Sequence, residues 1–131
     1  MRDRLRLLRQ ALPRIKERIS RLKPGPAGPM PILIGGAGEK VTLRIVAEHA
    51  QMWNALGSPD EYARKSKILD EYCRQIGRDP KQIERTANVS VSGPKEINEW
   101  LDAGLQHFVL RLARPFDTKP LERVLKASRQ V

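Results

Sequence analysis

Between Pro31 and Leu125 the chain alternates short apolar runs with amphipathic stretches four times, and this restricts the fold more than any other feature of its 131 residues. Pro31-Ile32-Leu33-Ile34 is apolar and ends at Gly35-Gly36-Ala37-Gly38, after which Leu43, Val46, Ala47 and Ala50 recur at helical spacing. Met52-Trp53-Asn54-Ala55 is the second strand candidate. Ser58-Pro59-Asp60-Glu61 joins an N-cap serine, a proline at the first helical position and a glutamate three residues after the cap, which predicts a helix start. The buried face of that helix reads as Tyr62, Ser66, Leu69, Cys73 and Ile76, and Gly77 stops it. Asp79-Pro80 opens a brief turn, and residues 86 to 91 alternate polar Thr86, Asn88 and Ser90 with apolar Ala87, Val89 and Val91, as a strand does. Ser92-Gly93-Pro94 begins a helix with Ile97, Trp100 and Leu101, closed by Gly104. His107 to Leu112 is the last strand, and a final helix after Asp117-Thr118 carries Leu121, Val124 and Leu125.

Four strands, each followed by a helix, predict an α/β fold with a parallel sheet and a functional edge at the strand C-terminal ends. Two architectures fit. One is a small open doubly wound sheet of the flavodoxin type; the other is half of an eight-stranded barrel, since a whole one takes roughly 250 residues.

Ahead of the alternation lies a basic segment. Residues 1–23 hold nine Lys or Arg against Asp3 and Glu17, a local net charge of +7 out of +10 for the chain. Leu5, Leu8, Leu12, Ile15, Ile19 and Leu22 step by three and four through it, so residues 1–23 read as one amphipathic helix with solvated arginines outside. That reading is favoured over a nucleic-acid arm, because no aromatic side chain is interleaved for base stacking. Pro13 is expected to kink the helix or to start a second segment. An organelle transit peptide is disfavoured by the acidic residues and the single Ser20. Residues 24–30, with three prolines and two glycines, are a linker, and residues 31–131 carry the four βα units.

The composition, 40% hydrophobic and 31% charged, is globular and excludes disorder of the whole chain. No apolar run approaches the roughly 20 residues of a membrane helix, and a soluble cytoplasmic protein is the default expectation. Cys73, the single cysteine, reads as an inert core thiol. His49 and His107 have no Cys, His or carboxylate at metal-ligand spacing, so no metal site is expected.

The chemistry concentrates in Gly35-Gly36-Ala37-Gly38-Glu39-Lys40, between a strand and a helix. Small residues there let backbone N–H groups approach a phosphate, which the helix dipole favours. The loop lacks the Gly-Lys-Ser/Thr ending of a Walker A loop, and Val41 stands where a dinucleotide fingerprint needs its third glycine. A plain tight βα connection is the alternative.

Pro31 to Lys40, Thr42-Leu43-Arg44, Ala47-Glu48-His49-Ala50, Trp53-Asn54, Gly77-Arg78-Asp79-Pro80 and Ile83-Glu84-Arg85-Thr86 together resemble the C-terminal part of the luciferase-like flavin and deazaflavin oxidoreductases. The subgroup most similar is the one dependent on the deazaflavin coenzyme F-420. The resemblance implies the C-terminal half of a TIM barrel, with deazaflavin, or alternatively FMN, as cofactor. It implies that the cofactor phosphate lies against Gly35, Gly36, Ala37 and Gly38, and that Trp53 and Asn54 stand near the cofactor. Trp53 reads equally as a core aromatic, and Lys40 as a solvated first-turn residue. Relatives often carry an acid in the triplet before Trp-Asn, where this chain has Ala50-Gln51-Met52.

A chain with only the C-terminal half names no catalytic residue. It is expected to act as an oxidoreductase fragment completed by an N-terminal half-barrel chain or by self-association. The alternatives are an inactive truncated remnant and a nucleic-acid module acting through residues 1–23.

Overall fold

A computed structural model describes residues 2–91, 93–112 and 114–128 of the chain. The elements run α1 (Arg2–Ser20), β1 (Leu33–Gly35), α2 (Thr42–His49), β2 (Met52–Ala55), α3 (Pro59–Gln75), a 3-10 turn (Pro80–Gln82), β3 (Glu84–Val89), α4 (Pro94–Asp102), β4 (His107–Leu110) and α5 (Lys119–Ser128). The expected alternation is present, as an α/β fold of four strands and five helices among the described residues.

The strands form one sheet in the order β1-β2-β3-β4, every pair parallel. A doubly wound sheet reverses its strand order at a switch point. This one does not, so the flavodoxin-type alternative is withdrawn. Because the order is sequential, one face of the sheet collects the helices: Ile34, Trp53, Arg85, Ala87 and Val89 are buried there among α2, α3 and α4. The other parity of side chains has no helix over it and is exposed in part, with Thr86 buried among its neighbours. Gly35, Asn54, Thr86 and His107 stand in register across it, with Leu33 and Met52 toward the strand starts and Asn88 and Val109 toward the ends.

Several boundaries differ from the expectation for identifiable reasons. α1 runs unbroken through Pro13, which lies inside it; Leu12 is buried and Leu5 and Leu8 are half-buried against the core, and these contacts outweigh the lost backbone bond. The helix ends at Ser20, short of residue 23, and Ile15 and Leu22 of its apolar stripe are exposed. β3 starts two residues earlier than the alternation suggested, because Gln51 and Gln106 hold its beginning: Glu84 N–H donates to the Gln51 carbonyl, and Arg85 N–H to Gln106 Oε1 at 2.8 Å. Thr86, one of the polar positions of the alternation, is fully buried, its hydroxyl accepting from Asn54 Nδ2 at 2.8 Å. β4 ends at Leu110, and Ile76 is exposed at the end of α3. The expected helix start at Ser92 and the last residues of the 31–131 unit, 129–131, lie outside the described residues.

α3 begins as its sequence directs. Ser58 Oγ accepts from Glu61 N–H at 3.3 Å and Glu61 Oε2 accepts from Ser58 N–H at 3.5 Å, a closed capping box. Replacing Ser58 with Ala is expected to cost about 1 kcal/mol, read as a lower urea midpoint at unchanged slope.

Cys73 is buried, and burial pushes its thiol pKa up, away from nucleophilic character. Among the described residues no group of His, Cys, Asp and Glu is arranged to hold a metal. None of their helices is long and apolar enough to cross a membrane.

Candidate functional site

The glycine loop leaves the C-terminal end of β1 and enters α2, as its sequence position implied. Its three glycines do different work. Gly36 has φ +131°, a conformation that side chains rarely adopt, and its N–H donates to the Asn54 carbonyl at 2.9 Å. At Gly38 a Cβ would stand 2.8 Å from Thr42 Oγ1, so α2 can start this close only with glycine there. Gly35 is different: its backbone is extended, it is exposed on the open face, and a Cβ there would meet nothing within 4 Å. Glycine weakens a strand, and at this position it avoids no neighbour in its own chain.

The start of α2 has no side-chain cap: Val41 occupies the N-cap, and the bonds there are Leu43 N–H to the Gly38 carbonyl and Ile45 N–H to the Val41 carbonyl. The positive end of the α2 dipole therefore meets the loop without a competing side-chain acceptor. Glu39 turns away from it, to Arg64 on α3 at 2.6 Å, and that guanidinium holds the Glu39 carboxyl below its usual range. The loop thus keeps its N–H groups clear of its own carboxylate. Ala37 is half-buried and Lys40 is exposed.

Trp53 lies on the helix-covered side, fully buried, its ring stacked on Tyr62 at 4.9 Å between centroids. Its indole N–H donates to the Gly36 carbonyl at 2.8 Å. The side chain reaches the loop from beneath and fixes it, with no surface left to offer a ligand. Asn54, its neighbour in β2, points the opposite way, onto the open face beside Gly35, where its amide is held by Thr86. Of the six residues singled out from the sequence, Gly35, Gly36, Ala37, Gly38 and Asn54 therefore line one rim, and Trp53 supports it.

Two further groups take up positions that the sequence did not assign them. Gln51 accepts from Ile32 N–H through Oε1 at 3.0 Å and so ties the entry of β1 to β2. Arg111 and Arg114, both exposed, line a cleft with Ser90 and Asp117 beyond the ends of β3 and β4. Their signal was a basic pair after the last strand, on the same edge of the sheet as the glycine loop.

Neither a protein-family model nor a curated protein matches the chain. Among solved structures it is similar, over 52% of its length, to the coenzyme F420-dependent tetrahydromethanopterin reductase of Methanopyrus kandleri, with 18% identity and a TM-score of 0.42. The match spans 21% of the reductase chain.

Proposed function

We propose that the chain is half of a luciferase-like barrel whose glycine loop binds the phosphate of a deazaflavin, coenzyme F-420, or of FMN. The observation that carries this reading is Gly35: an exposed strand glycine with nothing within 4 Å of its missing Cβ, set against a helix start that no side chain caps. The residues fit such a group. Backbone N–H groups of the loop and the first turn of α2 would hold the phosphate, Gly35 would admit it to the sheet edge, and Asn54 would present its carbonyl oxygen or amide to the adjoining part of the ligand. The cofactor would supply hydride transfer; the chain supplies binding and orientation. Trp53 acts on the loop by holding the Gly36 carbonyl. The motif resemblance supports the same assignment.

Titration with F-420 and with FMN, followed by cofactor absorbance and fluorescence, tests this. Saturable micromolar binding of one of them is expected, at least tenfold weaker for Gly35→Ala, whose thermal midpoint is no lower because the added Cβ meets open space. No binding of either cofactor, or equal binding by both chains, overturns the reading. Binding without turnover once the barrel is completed would identify the inactive remnant.

A further inference from the structure

We infer that a second copy of this chain covers the open face of the sheet, the β4 edge of each copy pairing in parallel with the β1 edge of the other to close one eight-stranded barrel. The inference rests on the half-barrel reading above and names the partner that completes it.

A parallel sheet is in practice covered on both faces, and its edges present unpaired N–H and C=O groups. Here one face is bare and both edges belong to the first and last strands. The bare face is also chemically distinct from the rest of the surface. In a chain of net charge +10, none of its strand side chains is Lys or Arg; its ionisable groups are Glu84 and His107, 3.0 Å apart and paired with each other. Leu33 on β1 and Val109 on β4 are 48% and 40% exposed, the apolar margins of that face.

The helical layer tells the same story at its two ends. α2, α3 and α4 leave no large apolar side chain exposed within their spans, whereas α1 exposes Leu7 and Ile15 and α5 exposes Leu121 and Leu125. The layer is finished in its middle and unfinished at both flanks, the places where further units would dock.

Area decides whether two copies suffice. A folded monomer of 14.9 kDa exposes about 7,000 Å² by the usual scaling, and this chain exposes 9317 Å². The excess is about 2,300 Å² per chain, or about 4,600 Å² for a pair, within the range of about 2,000–5,000 Å² of obligate homodimers. A two-fold axis along the barrel makes both β4–β1 junctions identical and leaves no strand over, so the assembly closes. The junctions bring basic α1 beside α5, with its Lys119 and Lys126, so salt should tighten the dimer.

Light scattering of the 131-residue chain at 50 µM is the test. A mass of about 30 kDa is expected, twice the 14.9 kDa of one chain, with dissociation at low salt. Val109→Arg adds a charge that is exposed in one chain and enclosed in the closed barrel; it should weaken association at least 100-fold with unchanged circular dichroism. Ile76→Arg, at the far end of α3, should leave the mass unchanged. A 14.9 kDa mass, a ladder of open-ended assemblies, or a dimer indifferent to Val109→Arg overturns the inference. A dimer that binds neither F-420 nor FMN leaves the pairing standing and removes only the cofactor reading.

Discussion

Replacing Trp53 with Ala is expected to cost about 3–5 kcal/mol, most of the stability of a domain this size, and to leave the chain close to half unfolded in mild urea. The ring is fully buried and is the lower end of an aromatic column, stacked on Tyr62, which meets Trp100 edge-on at 5.6 Å. Tyr62 in turn donates its hydroxyl to the Thr86 carbonyl at 3.1 Å, and burial pushes its pKa far up, so it stays a neutral donor at every practical pH. Removing the indole opens a void between β2 and α3 and frees the Gly36 carbonyl. Trp53→Phe separates the two effects. It keeps most of the ring volume and loses the N–H bond to Gly36, so a cost of about 1–2 kcal/mol is expected together with weaker binding of the cofactor proposed for the loop. Equilibrium urea unfolding of the two variants measures the first quantity and cofactor titration the second. A Phe variant that binds as the parent does would show that the loop keeps its shape without the indole.

Much of the fold was legible because period and punctuation agreed. The capping box at Ser58, the glycines after α3 and α4, and the apolar spacing of α2 each depend on neighbours a few residues away, and each element formed there. What escaped depends on distant partners. The resemblance segment Gly77-Arg78-Asp79-Pro80 is an example: Gly77 takes φ +71°, Arg78 donates to the Ala47 and Ala50 carbonyls at 2.7 and 2.6 Å, and Asp79 caps the 3-10 turn. Arg78 thus satisfies the last carbonyls of α2 across 28 residues of chain, a role that spacing does not reveal. Trp53 is another case. Its place in a strand was legible, but the side of the sheet it occupies followed from Ile34 and Arg85 beside it in register. The site was legible as a loop of small residues. The distinct duties of Gly35, Gly36 and Gly38 were not, since only the backbone angle of one and the surroundings of the others tell them apart.

Asp70→Ala should be about as damaging as the loss of Trp53, and more damaging than removal of its own partner. Arg85 is 6% exposed on the helix-covered side of β3, an unusual place for a guanidinium. Each of its three nitrogens has a partner: Nε donates to Ser66 Oγ at 2.9 Å, one terminal nitrogen to the Ile83 carbonyl at 2.9 Å, and the other to Asp70 Oδ1, with the Trp53 ring 5.8 Å away. Without Asp70 the guanidinium cannot shed its proton and remains charged, buried and short of its counterion, a loss of about 3–5 kcal/mol. Arg85→Met removes the charge instead and fills similar volume. It leaves Asp70, whose side chain is 31% exposed and can take up water, so about 1–2 kcal/mol is expected. The order of the two urea midpoints is the measurement. Equal costs would mean that water reaches the Arg85 cavity, and a lower midpoint for Arg85→Met would mean that packing beside Trp53, and not charge, is what Arg85 contributes. In either case the aromatic column and the arginine meet at Trp53, so the double variant Trp53→Phe with Asp70→Ala should lose more or less than the sum of its parts by 0.5 kcal/mol or more, about the least coupling such contacts show.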